Sequence, residues 1–112
     1  MGLLNLFSQN PAASLSDSQL KEMLQSENPP ILLDVRSPGE YQVGHIPGSS
    51  NVPVQFVADT MNQNNIQLDK TLVLYCQSGA RSAQACQILR NLGYTAVYNF
   101  GGIRNWSYGF QR

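Results

Sequence analysis

The chain has 112 residues, which fits one domain able to bury a core of its own. Seven basic residues balance seven acidic ones. That balance argues against a nucleic acid partner, which needs a surplus of Lys and Arg, and against a polybasic membrane contact. Zero net charge leaves a monomer and a dimer equally open. The two cysteines, Cys76 and Cys86, are too few for a disulfide-built secreted domain, and with the single His45 they do not make a metal site, so no metal and no cofactor is expected.

Residues 1–13 read as a flexible lead-in closed by Pro11, ahead of a single domain over residues 14–112. Met1 to Phe7 has no basic start and no long apolar stretch, which predicts neither a signal peptide nor a membrane span. A cytoplasmic location is the resulting expectation. Ser16 with Gln19 three positions later is a capping box, and Leu20, Met23 and Leu24 follow at helical spacing. Asn28-Pro29-Pro30 ends that helix. Ile31 to Val35 is a continuous apolar run broken only by Asp34, as expected for a strand buried on both faces. Ser37 caps a short helix with Pro38 at its first position. Gly44 to Ser50 reads as loop, Asn51 to Pro53 as a short strand, Val54 to Met61 as about two helical turns, and residues 62–70 as a polar surface loop. Thr71 to Tyr75 is a second buried strand. Ser82 to Leu92 is a helix with Ala85, Cys86, Leu89 and Leu92 on one face, and Gly93 ends it. Ala96 to Asn99 is a further strand, Gly101-Gly102 a turn, and Ile103 to Trp106 a last short helix. Strands alternating with helices predict an open, mostly parallel α/β sheet.

Ligands of such sheets bind at the carboxyl ends of the strands. Cys76 lies there, just ahead of a helix, and Gln77-Ser78-Gly79-Ala80-Arg81 follow it. Small residues in that loop let backbone N–H groups turn inward as an anion-binding nest. The helix start and Arg81 add positive charge. All of these favour the thiolate, which is the nucleophile. The alternative is a small buried hydrophobe ending a strand. Cys86, on the apolar helix face, is accounted for by packing; a disulfide with Cys76 is its alternative.

The chain resembles a rhodanese-like domain from about Leu15 to Trp106. The resemblance is carried by Leu33-Asp34-Val35-Arg36, Glu40-Tyr41, Gly44-His45-Ile46-Pro47-Gly48-Ser49 and Asn51-Val52-Pro53. It continues in the strand running into Cys76-Gln77-Ser78-Gly79-Ala80-Arg81-Ser82, and in Leu92-Gly93-Tyr94, Gly101-Gly102 and Trp106. It implies a rhodanese-like α/β fold with a central five-stranded, mostly parallel sheet flanked by helices. It also implies a sulfurtransferase in which Cys76 takes the sulfane sulfur of a donor such as thiosulfate, becomes a persulfide, and passes the sulfur to cyanide, a thiol or a protein acceptor. The N–H groups of residues 77–81 would cradle the persulfide, and Arg81 would close the loop and attract the anionic donor. Related phosphatases place five residues between cysteine and arginine, whereas here there are four, Gln77 to Ala80. The shorter loop suits one outer sulfur better than the three oxygens of a phosphoryl group.

Asp34 and Arg36 end the first strand and are read as structural, hydrogen-bonded to nearby loops or to each other's neighbours, with added positive potential for the donor as the alternative role of Arg36. His45 is read as architectural, since a thiolate held by N–H groups needs no general base. Trp106 is expected in the core, whereas Tyr108 and Phe110 are candidates for contact with a partner. Three other functions compete: a non-catalytic interaction module of the same fold, a phosphatase or arsenate reductase, and a redox enzyme using Cys76 and Cys86.

Overall fold

The structure, a computed structural model, describes residues 15–112. The lead-in expected over residues 1–13 lies outside the described residues. The elements are α1 (Asp17–Leu24), β1 (Ile31–Asp34), α2 (Pro38–Val43), β2 (Ser50–Asn51), α3 (Val57–Gln63), β3 (Leu72–Cys76), α4 (Ala80–Asn91) and β4 (Val97–Gly102). One 3-10 turn, Val54–Phe56, leads into α3, and another, Ile103–Asn105, follows β4.

The capping box at Ser16 forms as the sequence predicts, and the predicted cap at Ser37 is also a full capping box. The Ser16 hydroxyl accepts the Gln19 N–H while the Gln19 side chain accepts the Ser16 N–H, and Ser37 and Glu40 do the same at α2. At the end of α4, Gly93 takes φ +105°, its N–H donates to Arg90 O, and the Tyr94 N–H donates to Leu89 O. This left-handed closure satisfies two carbonyls that the helix leaves open, in a conformation that favours glycine.

All strand pairs are parallel, in the order β2-β1-β3-β4. Among the described residues the sheet therefore has four strands, not the five that the resemblance implies; the other described segments are helix, turn or loop apart from one isolated antiparallel bridge, His45 with Gln111. Side chains of β3 alternate between the faces. Leu72, Leu74 and Cys76 join Val57, Cys86 and Leu89 on the face covered by α3 and α4. Val73 and Tyr75 join Leu20, Phe100 and Trp106 on the face covered by α1 and the C-terminal segment. Burial on both sides is why β1 and β3 read as unbroken apolar runs. Trp106 is in this core and its indole N–H donates to Gly109 O at 2.9 Å, while Tyr108 and Phe110 are exposed.

Two expectations change near the carboxyl ends of the strands. The helix expected from Ser82 starts at Ala80, because Gly79 at φ +99° turns the chain directly into it. Gly101-Gly102 do not make a turn but continue β4. Leu74 pairs with Asn99 and Tyr75 with Gly101, so Phe100 is an extra residue and the strand bulges. Gly101 takes φ +98° and its N–H donates to Asn99 Oδ1 at 2.9 Å. Gly101 is favoured by its positive φ, and Gly102 because the loop after β3 lies against it. A Cβ on Gly102 would sit 2.9 Å from the Gln77 carbonyl oxygen, and one on Gly79 would sit 3.3 Å from Gly101 Cα.

Gly102→Ala should therefore push the Gln77 carbonyl away and cost about 1–3 kcal/mol, as overpacking does. The midpoint of urea denaturation measures this. An unchanged midpoint, together with an unchanged alkylation rate at Cys76, would show that the loop does not rest on this glycine.

Candidate active site

Cys76 is the last residue of β3, and its side chain is fully enclosed. The loop above it is open: Gln77, Ser78 and Ala80 are exposed. Sγ receives the Gly79 N–H at 3.0 Å and the Ser82 N–H at 3.4 Å, and it lies 3.5 Å from the Ser82 hydroxyl. Ser82 sits in the first turn of α4, where backbone N–H groups have no partner within the helix. Burial pushes the Cys76 thiol up. The Ser82 hydroxyl and the N–H groups of Ser82, Gly79 and Ser78 together outweigh burial, so the net shift is downward. The same hydroxyl lies 3.1 Å from Gly79 O. It can bond that carbonyl when Cys76 is a thiol and turn to the sulfur when it is a thiolate.

The loop is tied down from below. Asn99 Nδ2 donates to Gly79 O at 3.4 Å, so the bulge in β4 and the Cys76 loop share one amide side chain. From β1, the Arg36 guanidinium grips Asp34 through Nε and Nη2, the shortest contact being 2.6 Å. It also donates to Gly44 O at 2.7 Å and to Gln77 Oε1 at 3.3 Å. Arg36 and Asp34 are both buried. Arg36 thus orients Gln77 from beneath the loop, and most of its donors are already engaged.

Arg81 points to α2. Nη1 donates to Glu40 Oε1 at 2.7 Å and Nη2 to Oε2 at 2.9 Å. Arg81 holds the Glu40 carboxyl at about 2, well below its usual range. His45 stands apart from the sulfur. Its ring stacks on Tyr41 at 3.7 Å, Nδ1 bonds Tyr41 O at 2.9 Å, and its backbone pairs with Gln111. Cys86 is buried among apolar side chains, and burial pushes its thiol up to about 11. Among the described residues no group of three His, Cys, Asp or Glu could hold a metal ion, and no helix is long and apolar enough to cross a membrane.

The sequence profile of the rhodanese-like domain matches residues 16–108. The chain belongs to the rhodanese-like domain family. The human thiosulfate:glutathione sulfurtransferase is 34% identical, over 85% of this chain and 93% of the relative. The Bacillus subtilis protein YqhL is 43% identical over 67% of this chain, which spans 59% of that relative's length. A solved human single-domain sulfurtransferase superposes with a TM-score of 0.71 at 34% identity, covering 83% of this chain and 93% of the other. Relatives named as sulfurtransferases support sulfurtransferase activity in general.

The structure gathers Cys76 and residues 77–81 at one strand end, with Arg36 beneath. Sequence reasoning left three neighbours without a role: Ser82, Asn99 and Glu40. Ser82 carried a signal, since it opens the helix expected just after the cysteine loop. Glu40 carried a weaker one as the third residue of a capping box. Asn99 carried none.

Two outcomes test this electrostatic arrangement. Ser82→Ala should slow alkylation of Cys76 by iodoacetamide at neutral pH about tenfold, the loss expected for one hydrogen bond to a charged group, and move the midpoint of the pH–rate curve upward. Cys86 should remain unlabelled until the chain unfolds. The second outcome concerns acid. The folded-state pKa of Glu40 lies below its unfolded value, so the Arg81 pair contributes stability that is present above about pH 4.5 and lost as pH falls towards 2. Both side chains are about one-third exposed, so the contribution is about 1 kcal/mol or less. Glu40→Gln should flatten the acid limb of the stability curve in that window, read by thermal melts at matched ionic strength.

Proposed function

We propose that this chain transfers sulfane sulfur from an anionic donor such as thiosulfate through a persulfide on Cys76. The observation that carries the reading is the hydrogen bonding onto Cys76 Sγ, which favours a thiolate at a buried position without a general base. The thiolate attacks the outer sulfur of thiosulfate. A bond forms between Sγ and that sulfur, the sulfur–sulfur bond of the donor breaks, and sulfite leaves with the electron pair. The N–H groups of residues 77–81, at the start of α4, cradle the terminal sulfur of the persulfide. An acceptor nucleophile then attacks that sulfur. Cyanide leaves as thiocyanate, a thiolate leaves as a persulfide, and Cys76 returns to the thiolate.

Each step displaces one sulfur from another, so no proton need be moved by a side chain. This agrees with a site whose one histidine is stacked on Tyr41 and bonded to its carbonyl. Thiosulfate as donor and a small thiol as acceptor match the name of the human relative. The four-residue spacing from Cys76 to Arg81 and the engagement of Arg81 with Glu40 weigh against a phosphatase. The raised thiol of Cys86 weighs against a Cys76–Cys86 redox couple.

The intact mass of the reduced protein should rise by one sulfur atom after thiosulfate and return after cyanide, with thiocyanate released. Cys76→Ser should abolish both steps, and Cys86→Ala should retain them. Absence of the added sulfur with thiosulfate, a thiosulfonate and a polysulfide alike would leave a non-catalytic interaction module as the reading.

A further inference from the structure

Arg81 is the second residue of α4, in the first turn, where the helix dipole disfavours a cation. Its guanidinium is turned to the Glu40 carboxylate, with both oxygens engaged at 2.7 and 2.9 Å. Glu40 Oε1 also accepts the Ser37 N–H at 2.9 Å, so the carboxylate is fixed from both sides. The other groups whose fields reach Arg81 are Cys76 at the end of β3 and Asp34 at the end of β1. Asp34 is itself matched by Arg36. The two arginines beside the nest are thus each neutralised by a carboxylate, Arg81 by Glu40 of α2 and Arg36 by Asp34 two residues before it, and the N–H groups carry the remaining positive potential.

We propose that Glu40 is a specificity-determining residue: by neutralising Arg81 it leaves the backbone N–H groups as the main anion reader of the loop, which weakens the hold on oxyanions. For the donor the inference rests on the sulfur-transfer reading; for the charge it rests on geometry alone. Thiosulfate carries two negative charges near neutral pH, and sulfite, which is shared there between its singly and doubly charged forms, carries one or two. A free guanidinium beside the nest would tighten the hold on both, and so slow release of the product as well as favour entry of the donor. The pair keeps that attraction low.

Glu40→Gln removes the charge and keeps the capping box, because Gln serves at that helix position as Glu does. Two readouts are taken in the wild type, Glu40→Gln, Arg81→Gln and the double variant. One is KM for thiosulfate. The other is the ratio of Cys76 alkylation rates by iodoacetate, an anion, and iodoacetamide, its neutral counterpart. Alkylation needs no sulfur transfer, so a chain that alkylates without turning over would refute the functional reading while leaving the charge reading to be decided by the ratio. Glu40→Gln is expected to lower KM and raise the ratio about three- to tenfold, the size of one unscreened charge at a partly exposed site. Arg81→Gln is expected to do the reverse, and the double variant to fall within about twofold of the wild type, since it again has no net charge. If Glu40→Gln does not fold, the rescue of Arg81→Gln by the second substitution decides. A Glu40→Gln ratio that stays level or falls, or a double variant as impaired as Arg81→Gln, would overturn the proposal and make Arg81 a direct donor contact that Glu40 merely orients.

Discussion

The N–H groups of Gly79 and Ser82 turned onto Cys76 Sγ are the contacts that the surrounding structure is arranged to allow. Turning them inward needs Gly79 in the left-handed region and the loop pressed close to β4. That closeness needs a glycine at 102, where a Cβ would meet the Gln77 carbonyl, and one at 79, where a Cβ would meet Gly101 Cα, and the bulge at Phe100 sets the register of β4 at this point. Asn99 reinforces the arrangement by bonding both the Gly101 N–H and the Gly79 carbonyl. The register shift between β3 and β4 is therefore part of the site, although it lies in the sheet.

The two cysteines show what those N–H groups do. Cys76 and Cys86 are both free, both buried, and both belong to the same apolar cluster. Burial raises both thiols. At Cys86 nothing offsets it enough, and the thiol ends at about 11. At Cys76 the hydroxyl of Ser82 and three backbone N–H groups reverse the sign. Cys76 has donors within reach that Cys86 lacks, and on the sulfur-transfer reading this gives the chemistry to Cys76 and leaves Cys86 to packing.

Local signals in the sequence gave way to long-range ones at this site. The capping box at Ser16, the cap at Ser37 and the glycine closure at Gly93 depend on residues three or four apart, and they were legible. So were β1 and β3, because burial on both faces leaves a continuous apolar run. The early start of α4 and the bulge in β4 were not, since each depends on backbone contact between residues 77–79 and 101–102. Glu40 and Arg81 are 41 positions apart, and their pairing follows only from how α2 sits beside α4. Asp34 and Arg36 could be read as structural from their place at a strand end, but neither their pairing with each other nor the reach of Arg36 to Gln77 could.

Enclosure of Cys76 also bears on which molecules can use it. On the sulfur-transfer reading, the donor must bring a sulfur end-on through a loop that leaves Sγ no exposed surface. A sulfur atom is wider than a water molecule, so the loop must give way for a terminal sulfane sulfur to reach Sγ, and must give way further for a bulky disulfide. Once transferred, the sulfur stands about 2.05 Å beyond Sγ, towards the mouth formed by the exposed residues Gln77, Ser78 and Ala80. The acceptor then has only to reach the mouth and not the floor. A single site can in this way be narrow for its donor and permissive for its acceptor, because the atom attacked in the second step lies one bond further out than the atom that attacks in the first.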